Sequence, residues 1–145
     1  MYKTKKLLNF IKRKQPENIY HGKSHLIYKY TCTCNSTYIG QTKRYFNVRI
    51  DEHRTNPSSH IFKHYSVCPE YKKELIKSYA TVSKIRSINQ VPKKHKNEFF
   101  RDKFQILCRE NDYKLRLAKE NIFIKLNSPD LNDQTDLSKP LHNFV

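Results

Sequence analysis

Two short stretches in the first third of the chain alternate apolar with polar positions, a pattern typical of β-strands. Residues 25–33 (HLIYKYTCT) are rich in aromatic and β-branched types, which favours a strand. Alternation places four of its side chains on one face: Leu26, Tyr28, Tyr30 and Cys32. The turn signal Asn35-Ser36 leads to a second predicted strand at residues 37–41 (TYIGQ). Together the two stretches predict an antiparallel hairpin.

A helical period follows the hairpin. Thr42 can cap a helix over residues 43–54. Phe46 and Ile50 lie four positions apart, so both are expected to face the core. A second stripe on the same helix has the same spacing: Tyr45, Arg49 and His53.

Two more helices are predicted before the last strand. A short one starts at Ser58 or Ser59 and turns three side chains inward: Ile61, Phe62 and Tyr65. A longer one lies within residues 70–91, because several positions follow helical spacing: Leu75, Tyr79, Val82 and Ile85 or Arg86. The basic run from Pro92 to Lys96 is predicted to be a loop.

The last part of the pattern predicts a third strand and a final helix. Residues 103–108 (KFQILC) alternate and place three side chains on one face: Phe104, Ile106 and Cys108. Asn111 or Asp112 can cap a helix that runs to about Leu126. The apolar face of this helix is expected to carry three residues: Leu115, Ala118 and Ile122. Pro129 follows the helix and stops it.

The order of these elements predicts an α+β fold, a small three-stranded antiparallel sheet flanked by helices. The chain has 145 residues, which suits one compact domain. We expect a basic lead or linker at residues 1–24 and a domain at residues 25–134, with a helical insert near residues 70–98. Residues 135–145 are expected to form a loose tail.

Charge is the first indication of function. The chain has 29 Lys and Arg against 13 Asp and Glu, a net charge of +16. Such an excess repels itself unless a polyanion is near, and nucleic acid is the commonest such partner. A ribosomal-type or merely soluble basic protein remains the alternative, and an anionic membrane is a weaker one.

No stretch approaches the apolar length of a membrane span, and the apolar run near the N-terminus is too short for a signal peptide. These features predict an intracellular protein. In a reducing compartment the four cysteines fit metal ligands or core thiols better than disulfides.

Cysteine and histidine spacing predicts a zinc site. Soft thiolates and imidazoles converging fourfold suit Zn²⁺. The preferred ligand set is Cys32, Cys34, His64 and Cys68. His60 is a spare candidate, and Cys108 is expected to be a plain core residue. The alternative is that the Cys32 and Cys34 side chains act only as small hydrophobes in the hairpin.

Several residues together resemble the GIY-YIG endonuclease family. They are Ile27-Tyr28, Tyr38-Ile39-Gly40 with the following Gln-Thr-Lys-Arg, Arg49, His53, Glu120 and Pro129-Asp130-Leu131-Asn132. Leu26 stands where the family has a glycine. The Cys pair before Tyr38 is similar to that in the endonuclease domains of Penelope-like retroelements and related transposon-derived proteins. The resemblance covers residues 26–134.

The resemblance implies a metal-dependent DNA endonuclease that leaves nicks and serves a mobile element. Glu120 would hold Mg²⁺ or Mn²⁺, and Arg49 would stabilise the cleaved phosphate. One hydroxyl of Tyr28 or Tyr38 would act as general base or position the attacking water, and the other would support it. His53 would orient water or shuttle a proton. The domain would be fused to, or act with, a reverse transcriptase, in the nucleus if the source is eukaryotic.

Two further residues would support the site. Gly40 would let the backbone turn tightly into the Arg49 helix, and Asn132 would brace the site after the last helix.

Each of these residues also has an ordinary structural interpretation. Glu120 could pair with Arg116 one helical turn earlier, and Arg49 could be a solvated helix charge. His53 and the two tyrosines could be core residues, and Asn132 a turn residue. For the whole domain, the alternatives are a catalytically silent DNA-binding module and a zinc-stapled structural or interaction domain.

Contact with DNA would fall to three basic clusters, which would mostly touch phosphates. They are Lys43 with Arg44; Lys93, Lys94 and Lys96; and Lys12, Arg13 and Lys14.

Overall fold

The computed structural model describes residues 22–80 and 84–133, which form three strands and five α-helices. The strands are β1 (Leu26–Thr31), β2 (Thr37–Thr42) and β3 (Phe104–Arg109). The helices are α1 (Phe46–Thr55), α2 (His60–Tyr65), α3 (Pro69–Ala80), α4 (Lys93–Arg101) and α5 (Tyr113–Asn127), with a 3₁₀ turn at Ile88–Gln90. The α+β prediction is confirmed. The predicted basic contacts Lys12, Arg13 and Lys14, and the tail at residues 135–145, lie outside the described residues.

The sheet is antiparallel, in the order β2-β1-β3. Tyr28 lies opposite Gly40, and Tyr30 lies opposite Tyr38. The hairpin between β1 and β2 closes through Asn35, whose φ is 71°, a conformation that asparagine tolerates better than most residues. Because β1 is central, its residues set the position of everything on the two faces.

The two faces of the sheet bury two separate clusters. The larger one contains all four residues that alternation had placed together, three from β1 and Cys32 just after it: Leu26, Tyr28, Tyr30 and Cys32. Phe46 and Ile50 of α1 pack into it and are fully buried, as predicted. On the other face, Ile27 and Ile39 pack against Ile124 of α5.

A β-bulge corrects the prediction for β3. Tyr28 pairs with Ile106 and Ile27 pairs with Cys108, so Leu107 is an extra residue that breaks the alternation. Ile106 packs against the larger cluster, whereas Cys108 packs against the smaller one on the opposite face. Simple alternation cannot detect an inserted residue, so placing Cys108 beside Ile106 was wrong.

The buried face of α5 also differs from the prediction. Leu115 is 54% exposed and Ile122 is 51% exposed, and the helix instead buries four other residues: Arg116, Glu120, Asn121 and Ile124. Arg116 is accommodated because its Nε donates to Gln41 at 2.7 Å and its Nη1 donates to the carbonyl oxygen of Glu110 at 3.1 Å. The face is therefore polar, and an apolar stripe could not locate it.

The predicted cap is confirmed for α5 but not for α1. Asp112 caps α5 as predicted, accepting from the Leu115 amide at 2.9 Å. Thr42 does not cap α1. Its hydroxyl oxygen accepts from the Arg44 amide at 3.1 Å, and the helix begins only at Phe46.

The region between α3 and β3 contains two further corrections. The predicted helix over residues 70–91 is described as far as Ala80, and residues 84–87 are not helical. The predicted basic loop from Pro92 is the start of α4, because proline is well tolerated where a helix begins. None of the helices in the described ranges is long and apolar enough to cross a membrane.

Candidate active site

Tyr28 is the centre of a hydrogen-bonded network on the larger face of the sheet. Its side chain is fully buried, and its hydroxyl oxygen lies 2.6 Å from Nε2 of His53. Nε of Arg49 donates to the same oxygen at 3.1 Å. On the far side of the imidazole, Nδ1 of His53 lies 2.7 Å from Oγ of Ser59. Helix α1 brings Arg49 and His53 together because residues four apart share a helix face.

Burial and charge decide the protonation states in this network. Burial, helped by the nearby charges of Arg49 and His60, lowers the pKa of His53 to about 3. Burial, helped by Tyr38 and Glu120 and opposed by Arg49, raises the pKa of Tyr28. Both groups are therefore neutral near pH 7. A tyrosine base needs a lowered pKa, so Tyr28 is poorly suited to that role.

Neutrality also orders the protons. A guanidinium can only donate, so the Tyr28 oxygen accepts from Arg49 and its own proton points to Nε2 of His53. His53 then carries its single proton on Nδ1 and donates it to Ser59. This tautomer follows from the partners of the two ring nitrogens, and it makes Tyr28 a rigid brace for Arg49.

Tyr38 borders a cleft of about 210 Å³ beside this network. The walls of the cleft include Tyr38, Arg49, Glu52, His53, Ser59 and His60. The rings of Tyr38 and His53 meet edge to face, with centroids 5.5 Å apart. The structure thus brings together four residues predicted from sequence, the two tyrosines with Arg49 and His53.

Five residues of the cleft had no catalytic assignment from the sequence, and three of them contact the residues that did. Ser59 contacts His53, and Glu52 accepts from Nη1 of Arg49 at 3.0 Å. His60 stacks on Tyr38, with centroids 6.4 Å apart. The i,i+3 spacing of Arg49 and Glu52 was a usable signal for one of these contacts. The others depend on how α2 folds back on α1.

Gly40 is required by a close approach in the sheet. A Cβ at this position would lie 2.6 Å from the Tyr28 hydroxyl oxygen and 2.8 Å from Cε1 of Tyr38. The predicted role in a tight turn is wrong, because Gly40 lies inside β2 opposite Tyr28. Glycine is needed because both tyrosine rings lie over the backbone.

A Gly40→Ala substitution is expected to lower the free energy of unfolding by about 3 kcal/mol, through overpacking and weakened Tyr28 hydrogen bonds. Urea denaturation would measure the change. Gly22→Ala is the control, because a Cβ there meets nothing within 4 Å. The strain of its positive φ should cost about 1–2 kcal/mol, less than the loss expected at Gly40. Equal losses in the two variants would contradict the close-approach argument.

Glu120 lies apart from the cleft. It is 9% exposed on α5, a helix that packs on the sheet face carrying Ile27 and Ile39. Its carboxylate does influence the other face, since its charge contributes to the raised pKa of Tyr28. It does not line the cleft beside Tyr38.

The segment after α5 is fastened to the edge of the sheet. The side chain of Asn132 accepts from the Ile39 amide at 2.9 Å and donates to the Ile39 carbonyl at 2.8 Å. Asp130 accepts from the Thr37 amide at 2.6 Å. These bonds occupy backbone groups of β2 on both sides of Tyr38, so Asn132 supports the position of that tyrosine.

Arg49 also borders a second, basic cleft of about 700 Å³. Its walls include Gln41, Lys43, Arg44, Arg49, Tyr113 and Arg116, and none of the acidic residues within 22–80 and 84–133 lines it. The predicted contacts Lys43 and Arg44 therefore lie next to the tyrosine network. Lys93 and Lys96 line a separate cleft of about 240 Å³, together with Arg54 and Lys72.

Four side chains form a group that could hold a metal ion: Cys32, Cys34, His64 and Cys68. Their ligand atoms all lie within 4.8 Å of one another. The two sulfurs of Cys32 and Cys68 are 3.9 Å apart, and Cys34 Sγ lies 3.2 Å from His64 Nε2. Ligand atoms around tetrahedral zinc are roughly 3.5–3.8 Å apart, so both the donor set and the spacing are compatible with zinc.

Two local turns of the chain bring these four side chains together. Cys34 lies in the hairpin turn beyond β1, and the turn curls it toward Cys32. His64 and Cys68 are joined by a single helical turn, in which the Cys68 amide donates to the His64 carbonyl at 3.0 Å. His60, the spare candidate, is not in the cluster, because it faces the cleft beside Tyr38.

Comparison of the chain with protein-family models, curated proteins and solved structures found no match. The function of the protein is therefore inferred from its own residues and their geometry.

Proposed function

We propose that the protein is a metal-dependent DNA endonuclease of the GIY-YIG type, which hydrolyses phosphodiester bonds and leaves nicks. The observation that carries the proposal is the position of Arg49. Its side chain is held by a hydrogen bond to Tyr28 and borders the cleft beside Tyr38. Arg49 also borders the basic cleft, which is lined by Lys43 and Arg44. A DNA strand in the basic cleft would bring a phosphate to Arg49.

Each residue of the network has a role that its surroundings favour. Tyr38 is the tyrosine that borders the cleft, so its phenolate form would contact the attacking water and take its proton. Arg49 interacts electrostatically with Tyr38 and supplies the adjacent positive charge on which base catalysis by a tyrosine depends. Arg49 also donates to the phosphate as negative charge develops. Tyr28 and His53 hold the guanidinium in place.

Glu120 is the residue proposed to hold Mg²⁺ or Mn²⁺. Its fit rests on its position, because its side chain is only 9% exposed and its charge reaches the tyrosine network, where it contributes to the raised pKa of Tyr28. One carboxylate with water ligands suffices for Mg²⁺. When bound, the ion would neutralise charge at the phosphate and favour ionisation of water.

The biological setting is proposed from sequence resemblance alone. A domain of this type would open target DNA for a mobile element, fused to or acting with a reverse transcriptase, and it would work in the nucleus if the source is eukaryotic. The alternative function is a basic DNA-binding module without catalysis, which the position of Glu120 outside the cleft would favour.

A supercoiled-plasmid nicking assay with Mg²⁺ or Mn²⁺ tests the proposal. The wild type should produce relaxed circles, and Arg49→Ala should do so about 100-fold more slowly at saturating DNA. Arg86→Ala removes an exposed arginine that lines none of the three clefts, and it should retain the wild-type rate. A wild-type protein that binds DNA but never nicks it would be the silent module.

A further inference from the structure

His60 is held in the cleft by a carboxylate. Its Nε2 lies 3.1 Å from Oδ2 of Asp133, while its ring stacks on Tyr38. The sequence had suggested only a spare zinc role for this histidine. In the structure the Asp133 carboxylate instead orients the imidazole through Nε2. The second ring nitrogen, Nδ1, is then the one that would act on a substrate.

The proposed hydrolysis needs a proton for the oxygen that leaves phosphorus. His53 is a poor source, because it is buried and neutral and its remaining proton is directed to Ser59. His60 is the other histidine of the cleft, and its side chain is 36% exposed. It is therefore open to exchange protons with solvent and lies beside the tyrosine that contacts the attacking water.

We propose that His60, oriented by Asp133, is the general acid that protonates the leaving oxygen. This inference rests on the proposed endonuclease function. The water oxygen forms a bond to phosphorus as its proton passes to the Tyr38 phenolate, which becomes a neutral phenol. The bond from phosphorus to the leaving oxygen breaks, and that oxygen takes a proton from the His60 imidazolium. Asp133 positions the ring through its contact with Nε2.

Both partners are accessible, which makes the inference testable without loss of the fold. The side chains of His60 and Asp133 are 36% and 60% exposed, and such surface pairs add little to stability. His60→Gln and Asp133→Asn should therefore unfold at the same temperature as the wild type and keep the same zinc content.

The decisive substrate carries sulfur in place of the leaving oxygen. The wild-type nick would first be mapped, and a duplex with that site would be made with either the normal linkage or the bridging sulfur. A thiol is far more acidic than an alcohol, so a thiolate leaves without protonation. His60→Gln should slow cleavage of the normal linkage about 100-fold but cleavage of the sulfur linkage less than about 5-fold.

Comparator variants separate this role from a general loss of the site. Asp133→Asn should also slow cleavage of the normal linkage more than cleavage of the sulfur linkage, but by a smaller factor than His60→Gln, because Asp133 acts through His60. Arg49→Ala should slow cleavage of both linkages by the same factor, since Arg49 stabilises the phosphate. Equal losses in His60→Gln on the two linkages, or no loss on either, would overturn the general-acid role. A wild type that cleaves neither linkage would instead refute the endonuclease itself, and this inference with it.

Discussion

A Glu120→Gln variant is expected to bind DNA as tightly as the wild type and to nick it at least about 1,000-fold more slowly, because several kcal/mol of metal-derived stabilisation would be lost. The amide keeps the shape of the side chain but removes the charge that would hold Mg²⁺. Nicking rates at saturating DNA would measure the loss. Binding to the same DNA without metal would verify that the surface is intact.

Glu98→Gln provides the matched control, since Glu98 is an exposed acid on α4 and its neutralisation should leave nicking unchanged. Stability gives a second readout. A variant that unfolds more easily yet still nicks would place Glu120 among the structural residues of α5.

Local spacing was enough to place the central side chains of the candidate site on their faces, whereas their assignment to a site came from the family resemblance. Alternation in β1 placed Tyr28 on the buried face, and the four-residue spacing of Arg49 and His53 placed both on one side of α1. Each of these positions depends on a single element and its period. The same is true of the hairpin, whose strands are joined by a turn of few residues.

Features that depend on contacts between distant elements could not be predicted in this way. The role of His60 depends on Asp133, 73 residues later in the chain (133 − 60). The bulge at Leu107 depends on how β3 pairs with β1. The polar face of α5 depends on Gln41, which offers Arg116 an acceptor. In each case the contact joins residues that are distant in sequence, so the local pattern of apolar and polar residues cannot predict it.

The need for glycine in β2 combines both kinds of information. The sequence placed Gly40 in the Tyr-Ile-Gly run, but only the pairing register puts it opposite Tyr28. The gap that glycine leaves is filled by the tyrosine rings. A motif position can thus be recognised before its physical reason is known.

Removal of zinc is expected to destabilise the protein by at least about 4 kcal/mol, because a metal that binds only the folded state contributes its binding free energy to folding. The purified protein should contain one zinc ion per chain, measured by elemental analysis. A zinc-selective chelator should then lower the midpoint of urea denaturation. Cys34→Ala and His64→Ala should lower both zinc content and stability before any chelator is added.

Cys108→Ala is the control, because Cys108 is a free cysteine outside the cluster and its loss should leave zinc content unchanged. If the cysteines act only as small hydrophobes, Cys34→Ala should behave like this control and the chelator should have no effect. The cluster joins the β1–β2 hairpin to the end of α2 and to Cys68, which lies just before α3. Tyr38 lies on that hairpin and Ser59 and His60 precede or begin α2. Zinc loss is therefore expected to slow nicking even when Mg²⁺ remains in excess, whereas nicking that survives zinc removal would mean that the hairpin holds its position without the metal.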